Sequence, residues 1–189
     1  GVPIGVILYL TDKKGLLPCQ PVNLVLGIIV NLLRSVPFII LLIALLPVTR
    51  AIVGTTLGSS ATIVPLLVAA APFIGRMVES SLKEVDSGVI EAAQAMGSST
   101  WQIVWKVLLP EARPSLIIGA TIATTTILGY SAMAGFTGGG GLGTTAINYG
   151  YYRYQTDIML LTVLLLVVIV QVFQEIGMRI VHRTDRRIK

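Results

Sequence analysis

The sequence has very few of the residues that catalytic and metal sites use most. Its 189 residues include one cysteine, Cys19, and one histidine, His182. A single cysteine excludes an intrachain disulfide and a cysteine-rich metal site. His182 lies in a basic C-terminal stretch, where we interpret it as an interfacial residue and not as a catalyst or a ligand. We therefore expect no catalytic residue and no metal site in this chain.

Charged residues are also scarce. They make up 12% of the chain, whereas hydrophobic residues make up 54%. A soluble domain has about 25% charged residues, so this composition and the mean hydropathy of +0.84 indicate a membrane protein in contact with lipid. The net charge of +5 does not indicate a nucleic-acid partner, because the basic residues lie at the ends of apolar blocks and not along one face.

The apolar blocks predict a single all-α membrane domain with five spans. Their expected bounds are about 1–10, 22–48, 61–78, 114–136 and 158–178. Because about 20 residues cross the hydrocarbon, the first block is expected to be the end of a span that has lost its N-terminal part. Pro37 lacks a backbone donor and restricts the residue before it, which predicts a kink in the second block.

The basic residues are distributed unevenly between the two predicted sides. Eleven of the fourteen lysines and arginines fall on one side, and only Arg50 and Arg153 fall on the other. The positive-inside rule therefore predicts a cytoplasmic C terminus and an N terminus outside. Arg34 lies within a predicted span. It is either a charge that lines a pathway or an arginine whose side chain reaches back to the cytoplasmic interface.

The polar stretch 79–113 interrupts the apolar blocks and predicts two short helices. Gly97 is suited to end the first helix in a left-handed conformation, and Ser98, Ser99 or Thr100 can cap the second. Apolar residues recur in the second helix at i, i+3, i+4 and i+7, which predicts an amphipathic face: Trp101, Val104, Trp105 and Leu108. Such a helix can dock a cytoplasmic partner or lie on the bilayer.

The fourth span has a stripe of small and polar residues. Its members recur every four residues: Thr121, Thr125, Gly129 and Met133. Tyr130 and Ser131 lie near the outer end of the same span. The stripe either lines a pathway or forms a tight seam between helices, with threonines bonded to their own helix. The glycine run 137–143 predicts a sharp turn, followed by a loop over 144–157.

The spacing within the polar interruption resembles the cytoplasmic loop of ABC importer permeases. That signature is Glu-Ala-Ala, three residues, glycine, nine residues, then Ile-x-Leu-Pro. Here it is Glu91-Ala92-Ala93, Gly97 and Val107-Leu108-Leu109-Pro110, with valine in place of isoleucine. Within that family, 34–42, 71–79, 129–135 and 138–143 look like permeases that import D- or L-methionine.

The resemblance implies a type I ABC importer permease fold in the bacterial inner membrane. It implies that the loop couples the chain to an ATPase subunit through Glu91, Ala92, Ala93, Gly97, Leu109 and Pro110. The expected assembly has two permease copies, two ATP-binding subunits that hold ATP and magnesium, and a periplasmic methionine-binding lipoprotein. This chain itself is expected to hold no cofactor and to move its substrate by alternating access.

Two other functions remain open from the sequence. One is a permease of the same architecture for another amino acid or small solute. The other is a membrane channel or scaffold with an interfacial amphipathic helix. For an importer, the candidate pathway residues are Arg34 and, in the fourth span, Thr121, Thr125, Gly129, Tyr130, Ser131 and Met133.

Overall fold

The structure is a computed structural model that describes residues 1–184, a range that is helical without any strand. Arg186, Arg187 and Lys189, which belong to the predicted cytoplasmic tail, lie outside the described residues. The helices are α1 (Val2–Thr11), α2 (Gln20–Ser35), α3 (Phe38–Ala44), α4 (Leu46–Val53), α5 (Ser59–Lys83), α6 (Ser87–Ala95), α7 (Thr100–Ile103), α8 (Leu109–Glu111), α9 (Arg113–Met133), α10 (Gly141–Thr145) and α11 (Thr156–Thr184). Two π-helical segments, Val104–Leu108 and Ala146–Tyr151, and one 3₁₀ turn, Ala134–Thr137, join them.

Among residues 1–184, three helical segments are long and apolar enough to cross a membrane. They are Ser59–Lys83, Arg113–Thr137 and Thr156–Arg183, with 25, 25 and 28 residues. Each contains one of the last three predicted spans and is longer than it, because the helix includes polar residues at its ends that the apolar pattern did not count. The short apolar helix α1 occupies the predicted first span.

The second predicted span is broken. α2 ends at Ser35, α3 begins at Phe38, and the two helices are bent by 103°. The predicted kink at Pro37 is confirmed, since proline cannot continue the hydrogen-bond ladder. The segment 22–48 is nevertheless not one continuous helix, because the separate helix α4 begins at Leu46 and extends to Val53, beyond the predicted end of the span at 48.

One compact unit consists of 1–33, 71–121 and, at the end of the described chain, 177–184. Its apolar core joins the ends of α1 and α5 to α6, α7 and the following π-helical turn. The buried members are Leu10, Val78, Leu82, Val85, Ala93, Ile103, Val104, Leu108 and Ala112. Leu82 and Leu108 are completely buried, at 0% exposure. The helices of the polar interruption are therefore packed firmly against the ends of two membrane helices.

A cluster of charged side chains lies at the end of α5 in the same unit. Glu79 accepts hydrogen bonds from Arg76 at 2.6 Å and from Lys83 at 2.9 Å, and its side chain is only 5% exposed. Lys83 also pairs with Asp12 at 2.7 Å, and Arg76 donates to Asn31 of α2 at 2.7 Å. The cluster ties α5 to the loop after α1 and to α2.

The other compact unit consists of 34–70 and 122–176. Its core brings buried residues of α3 against Ala69 of α5 and Ala134. The ring of Phe38 stacks on Tyr130 of α9, with the centroids 4.6 Å apart and the planes inclined by 9°. This stack holds the chain that follows the Pro37 break against α9.

The glycine run forms the predicted turn, with φ values of 69° at Gly138 and 84° at Gly140. The segment that follows differs from the prediction. Residues 144–157 were expected to form a loop, but α10 begins at Gly141 and the π-helical segment continues to Tyr151. The hydroxyl of Thr144 accepts a hydrogen bond from the Gly140 N–H at 2.9 Å, which satisfies a free backbone donor at the helix start and allows the helix to begin there.

Stability of the first unit is predicted to depend on the buried Glu79 carboxylate. Glu79→Gln leaves Arg76 and Lys83 facing a neutral amide. The cations that remain are partly exposed, with 32% of the Arg76 side chain and 47% of the Lys83 side chain accessible, so the loss is smaller than the about 3–5 kcal/mol of a fully buried pair, and the thermal unfolding midpoint in detergent should fall by a few degrees. The matched control is Glu84→Gln, because Glu84 is exposed and forms no ion pair among residues 1–184. Equal midpoints for the two variants would contradict this assignment.

Candidate functional site

Both ends of α6, the first helix of the polar interruption, are closed by hydrogen bonds. At its start, the Asp86 carboxylate accepts from the Gly88 N–H at 2.6 Å. At its end, Gly97 adopts a φ of 76° and donates to the Gln94 carbonyl at 2.9 Å. Glycine occupies this left-handed region without the steric cost of a Cβ. The predicted glycine turn is therefore confirmed.

The helix after the turn begins with a capping box. The Ser99 hydroxyl accepts from the Gln102 N–H at 3.4 Å, and the Gln102 side chain accepts from the Ser99 N–H at 2.8 Å. This reciprocal pair satisfies two backbone donors at the start of α7. Of the three predicted capping residues, Ser99 is the one that caps. The turn between α6 and α7 thus has a defined geometry on both sides.

The two faces of α6 differ in burial. Ala93 is 2% exposed and packs into the core of its unit, with Ile90 half-buried beside it. Glu91, Ala92 and Gln94 are exposed. Within the described chain, Glu91 has no ion pair or hydrogen bond, so its carboxylate is available to a donor from outside. A small methyl group at Ala92 next to it permits close approach of another surface.

The predicted amphipathic face of the second helix is only half correct. Val104 and Leu108 are buried at 1% and 0% exposure, but Trp101 and Trp105 are 64% and 67% exposed. The spacing rule assumes 3.6 residues per turn, whereas Val104–Leu108 is π-helical. The wider turn aims Ile103 into the core and leaves the two tryptophans at the edge of the packed face.

The remaining signature residues lie directly after this turn. Leu109 is half-buried against the core of the unit. Pro110 is exposed and stands in the first turn of α8, where its missing N–H leaves no hydrogen bond unmade. Leu109 therefore contributes to the packing of this turn, whereas Pro110 is accessible at its surface, just before α9.

A cavity of about 640 Å³ lies in the same unit and is lined by α6 and the loop after α1. Four of its lining residues, Ser87, Ile90, Glu91 and Gln94, come from α6. The loop contributes Asp12, Lys14 and Leu16, and α5 contributes Lys83. The hydrogen bond from Lys83 holds the pKa of the Asp12 carboxyl below its usual value. Asp12 is thus a stable anion beside the cavity.

Sequence reasoning missed both the charge cluster and the cavity. A signal for the cluster was present, because Arg76, Glu79 and Lys83 have the i, i+3 and i+4 spacing of helical ion pairs. The cavity left no such signal. It depends on how the loop after α1 folds over the end of its helix, and no local pattern encodes that.

The predicted stripe of the fourth span divides into a packed part and an open part. The hydroxyls of Thr121 and Thr125 donate to carbonyls of their own helix, at 2.8 Å and 3.0 Å. Thr121 also contacts Gly177 of α11 so closely that a Cβ at position 177 would collide with it. Gly129 has open space around it, and Met133 is 47% exposed. The seam interpretation therefore fits Thr121, whereas Gly129 and Met133 remain candidates for a pathway.

The other candidate pathway residues have different surroundings. Tyr130 is half-buried in the stack on Phe38, whereas Ser131 is exposed. Arg34 is exposed in the last turn of α2 and has no ion pair among residues 1–184. The structure thus brings Tyr130 into a core, leaves Ser131 accessible, and places Arg34 next to the break at Pro37.

Comparison with known proteins decides the family. All 189 residues match the family model described as "binding-protein-dependent transport system inner membrane component". The chain belongs to this family. It is a component of a transport system in a membrane, and its long apolar helices are consistent with that location.

Members of this family with methionine in their names are close relatives of the chain. It is 53% identical to a probable D-methionine transport system permease protein MetI of Vibrio cholerae, over 99% of this chain and 83% of that protein. It is 43% identical to the methionine import system permease protein MetP of Bacillus subtilis, over 96% of this chain and 82% of that protein.

Solved structures establish the fold of this family member. A chain of the MetNI methionine ABC transporter, solved in an inward-facing conformation, superposes with a TM-score of 0.96 at 49% identity, over 98% of this chain and 86% of that chain. An amino acid ABC transporter chain superposes with a TM-score of 0.74 at 17% identity, which shows a shared fold only. The predicted type I ABC importer permease fold is confirmed.

The turn between α6 and α7 is predicted to tolerate asparagine better than alanine at position 97. Gly97 has a left-handed φ and open space for a Cβ, so the cost of a substitution comes from the backbone. The left-handed conformation costs alanine about 1–2 kcal/mol of conformational free energy, whereas asparagine adopts it more readily. Gly97→Ala should therefore lower transport activity more than Gly97→Asn in membranes with equal amounts of protein. The reverse order would show that the turn is not the constraint.

Two glycine substitutions separate the seam from the pathway. Gly177→Ala forces a Cβ into Thr121, and overpacking of this kind costs about 1–3 kcal/mol, so the unfolding midpoint should fall. Gly129→Ala meets no atom within 4 Å and should leave the midpoint unchanged or raise it slightly. If Gly129 lines a pathway, its variant changes the transport rate at unchanged stability. A loss of stability in both variants would overturn the division of the stripe.

Proposed function

We propose that this chain is the permease subunit of an ATP-driven importer of methionine. Its similarity to permeases named for methionine or D-methionine covers nearly the whole chain and so includes every candidate site residue. A related importer for another small solute would use the same architecture. Measured substrate competition separates the two, as described below.

In this proposal α6 and the loop after α1 face the cytoplasm. Lys13 and Lys14 belong to the loop, Lys83 ends α5 just before α6, and Lys106 lies in the π-helical turn. Cytoplasmic loops carry an excess of lysine and arginine, which supports this side. The N terminus of the chain then lies outside and its C terminus inside the cell.

The proposed assembly has two copies of this permease, two ATP-binding subunits and a binding protein on the outer side. Five membrane segments in one copy enclose little space, so a pathway between two copies related by a two-fold axis is reasonable. ATP and magnesium are held by the ATP-binding subunits, and this chain supplies no catalytic group. A periplasmic lipoprotein delivers methionine to the outer end of the pathway.

The observation that carries the proposal is the two-faced packing of α6. Its Ala93 side is buried in the core with the ends of α1 and α5, while Glu91, Ala92 and Gln94 are exposed. A helix held in this way transmits a displacement of its exposed face to the membrane helices. When ATP draws the two ATP-binding subunits together, α6 moves with them and switches the pathway between inward- and outward-open states.

The outer pathway residues in this proposal are Gly129, Ser131 and Met133. All three are exposed, and a thioether suits soft, apolar contacts such as those of a methionine side chain. Thr121 and Thr125 contribute to the packing of α9, and Arg34 is available to a carboxylate because no residue among 1–184 forms an ion pair with it.

The test of the coupling role is a charge reversal on α6. Glu91→Lys replaces the exposed acceptor with a cation while leaving the buried Ala93 side intact. We expect it to reduce the amount of ATP-binding subunit that co-purifies with the permease by at least about tenfold, the equivalent of one well-placed charged contact. The control is Glu84→Lys, at an exposed glutamate outside α6. Full retention of the partner by the Glu91 variant would refute the docking role.

Reconstituted vesicles test the substrate. Permease, ATP-binding subunit and binding protein should take up labelled methionine only when ATP is present. Unlabelled methionine should compete, and an unrelated amino acid such as histidine should not. ATP-dependent uptake that methionine fails to reduce would assign another solute to the same architecture.

A further inference from the structure

The cavity beside α6 has one wall that the coupling role does not explain. That wall is the loop after α1, which folds back over the end of its own helix. The Leu17 N–H donates to the Leu10 carbonyl at 3.0 Å, and the Cys19 N–H donates to the Thr11 carbonyl at 3.1 Å. The Asn23 side chain also donates to the Leu8 carbonyl at 2.7 Å. These hydrogen bonds give the loop a defined conformation and hold it against the end of α1.

The loop wall and the α6 wall belong to the same packed body. Asp12 of the loop forms an ion pair with Lys83 at 2.7 Å, and Lys83 in turn pairs with the buried Glu79 at 2.9 Å. On the other side, Ile90 of α6 and Leu16 of the loop both pack against the apolar core of the unit. A ligand in the cavity would thus contact two walls that move together.

The charges that line the cavity indicate what kind of ligand fits. Lys14 is exposed and its ammonium has no ion pair in the described part of the chain, and the same holds for the Glu91 carboxylate. Leu16, Val85 and Ile90 supply apolar surface between them. A phosphate or an anionic lipid headgroup would be repelled by Glu91 and Asp12. A polypeptide segment can satisfy one free cation, one free anion and an apolar floor at once.

We propose that the loop after α1 forms a second wall of the docking site for the ATP-binding subunit, with Lys14 as its contact residue. The proposal rests on the coupling role of α6, because the α6 wall of the cavity includes Glu91 and Gln94. The occupant is a segment of the ATP-binding subunit that carries an acidic side chain for Lys14 and a donor for Glu91. A volume of about 640 Å³ is large enough for several side chains. Docking in the cavity engages α1 and α5 in addition to α6.

Neighbouring lysines provide a matched test. Lys13 and Lys14 are both exposed in the same loop, but only Lys14 lines the cavity. Lys14→Glu should weaken binding of the purified ATP-binding subunit to the permease in detergent about tenfold at low salt, whereas Lys13→Glu should change it less than about twofold. The difference should shrink at 0.5 M salt, because exposed charges are screened there. Unfolding midpoints of both variants should equal that of the parent protein.

The outcomes separate this inference from the proposed function. If Glu91→Lys weakens binding but Lys14→Glu acts no more strongly than Lys13→Glu, the loop is not part of the docking site and the role of α6 stands. If neither Glu91→Lys nor Lys14→Glu weakens binding, the docking role of α6 fails together with the inference. A photo-crosslinker at position 14 gives a second readout. It should attach to the ATP-binding subunit, and the same group at the exposed Leu57 of the other unit should not.

Discussion

The apolar core that joins α6 and the π-helical turn to the ends of α1 and α5 is the constraint on which the proposed coupling depends. Leu82 and Leu108 are completely buried in it, and Ala93 brings α6 against them. Burial of a leucine side chain is worth about 1.5–3 kcal/mol, so several such residues hold these short helices in place. Without this core, α6 would be a short helix on a flexible polar linker. A displacement of its exposed face would then not move α1 and α5.

The charge cluster adds a second connection at the end of α5. Exposed ion pairs contribute only about 0–1 kcal/mol, but Glu79 is buried and accepts from two cations. Removing its cations is costly, because Glu79 would then be a buried charge without compensation. Through Asp12 and Asn31 it links the loop after α1 and helix α2 to α5. The core and the cluster together make the polar end of the unit a single rigid platform.

The sequence was most informative where local chemistry determines the structure. Glycine readily takes the left-handed conformation that ends a helix, and serine readily caps the start of one. The turn between α6 and α7 could therefore be predicted from Gly97 and Ser99. Pro37 lacks the backbone donor that a continuing helix needs, so the break after α2 could be predicted from it. The coupling signature itself could be read because its residues are close in the chain.

Features that depend on distant residues could not be predicted. The π-helical turn at Val104–Leu108 changes which residues face the core, and a rule based on regular helices left Trp101 and Trp105 on the wrong side. The pairing of Asp12 with Lys83 joins the loop after α1 to α5, which are far apart in the sequence. The seam at Gly177 and Thr121 likewise needs the path of α11. In each case tertiary packing decided among conformations that the local sequence permits.

The most direct test is whether α6 and the end of α5 move as one body during the transport cycle. Spin labels at Val89→Cys on α6 and, separately, at Glu84→Cys next to α5 would report the distance between the two permease copies, in a background with Cys19→Ser. With the ATP-binding subunits present, addition of ATP should change both distances together in the same direction. A change at Val89 with no change at Glu84 would show that the core does not transmit the motion and would contradict the proposed coupling.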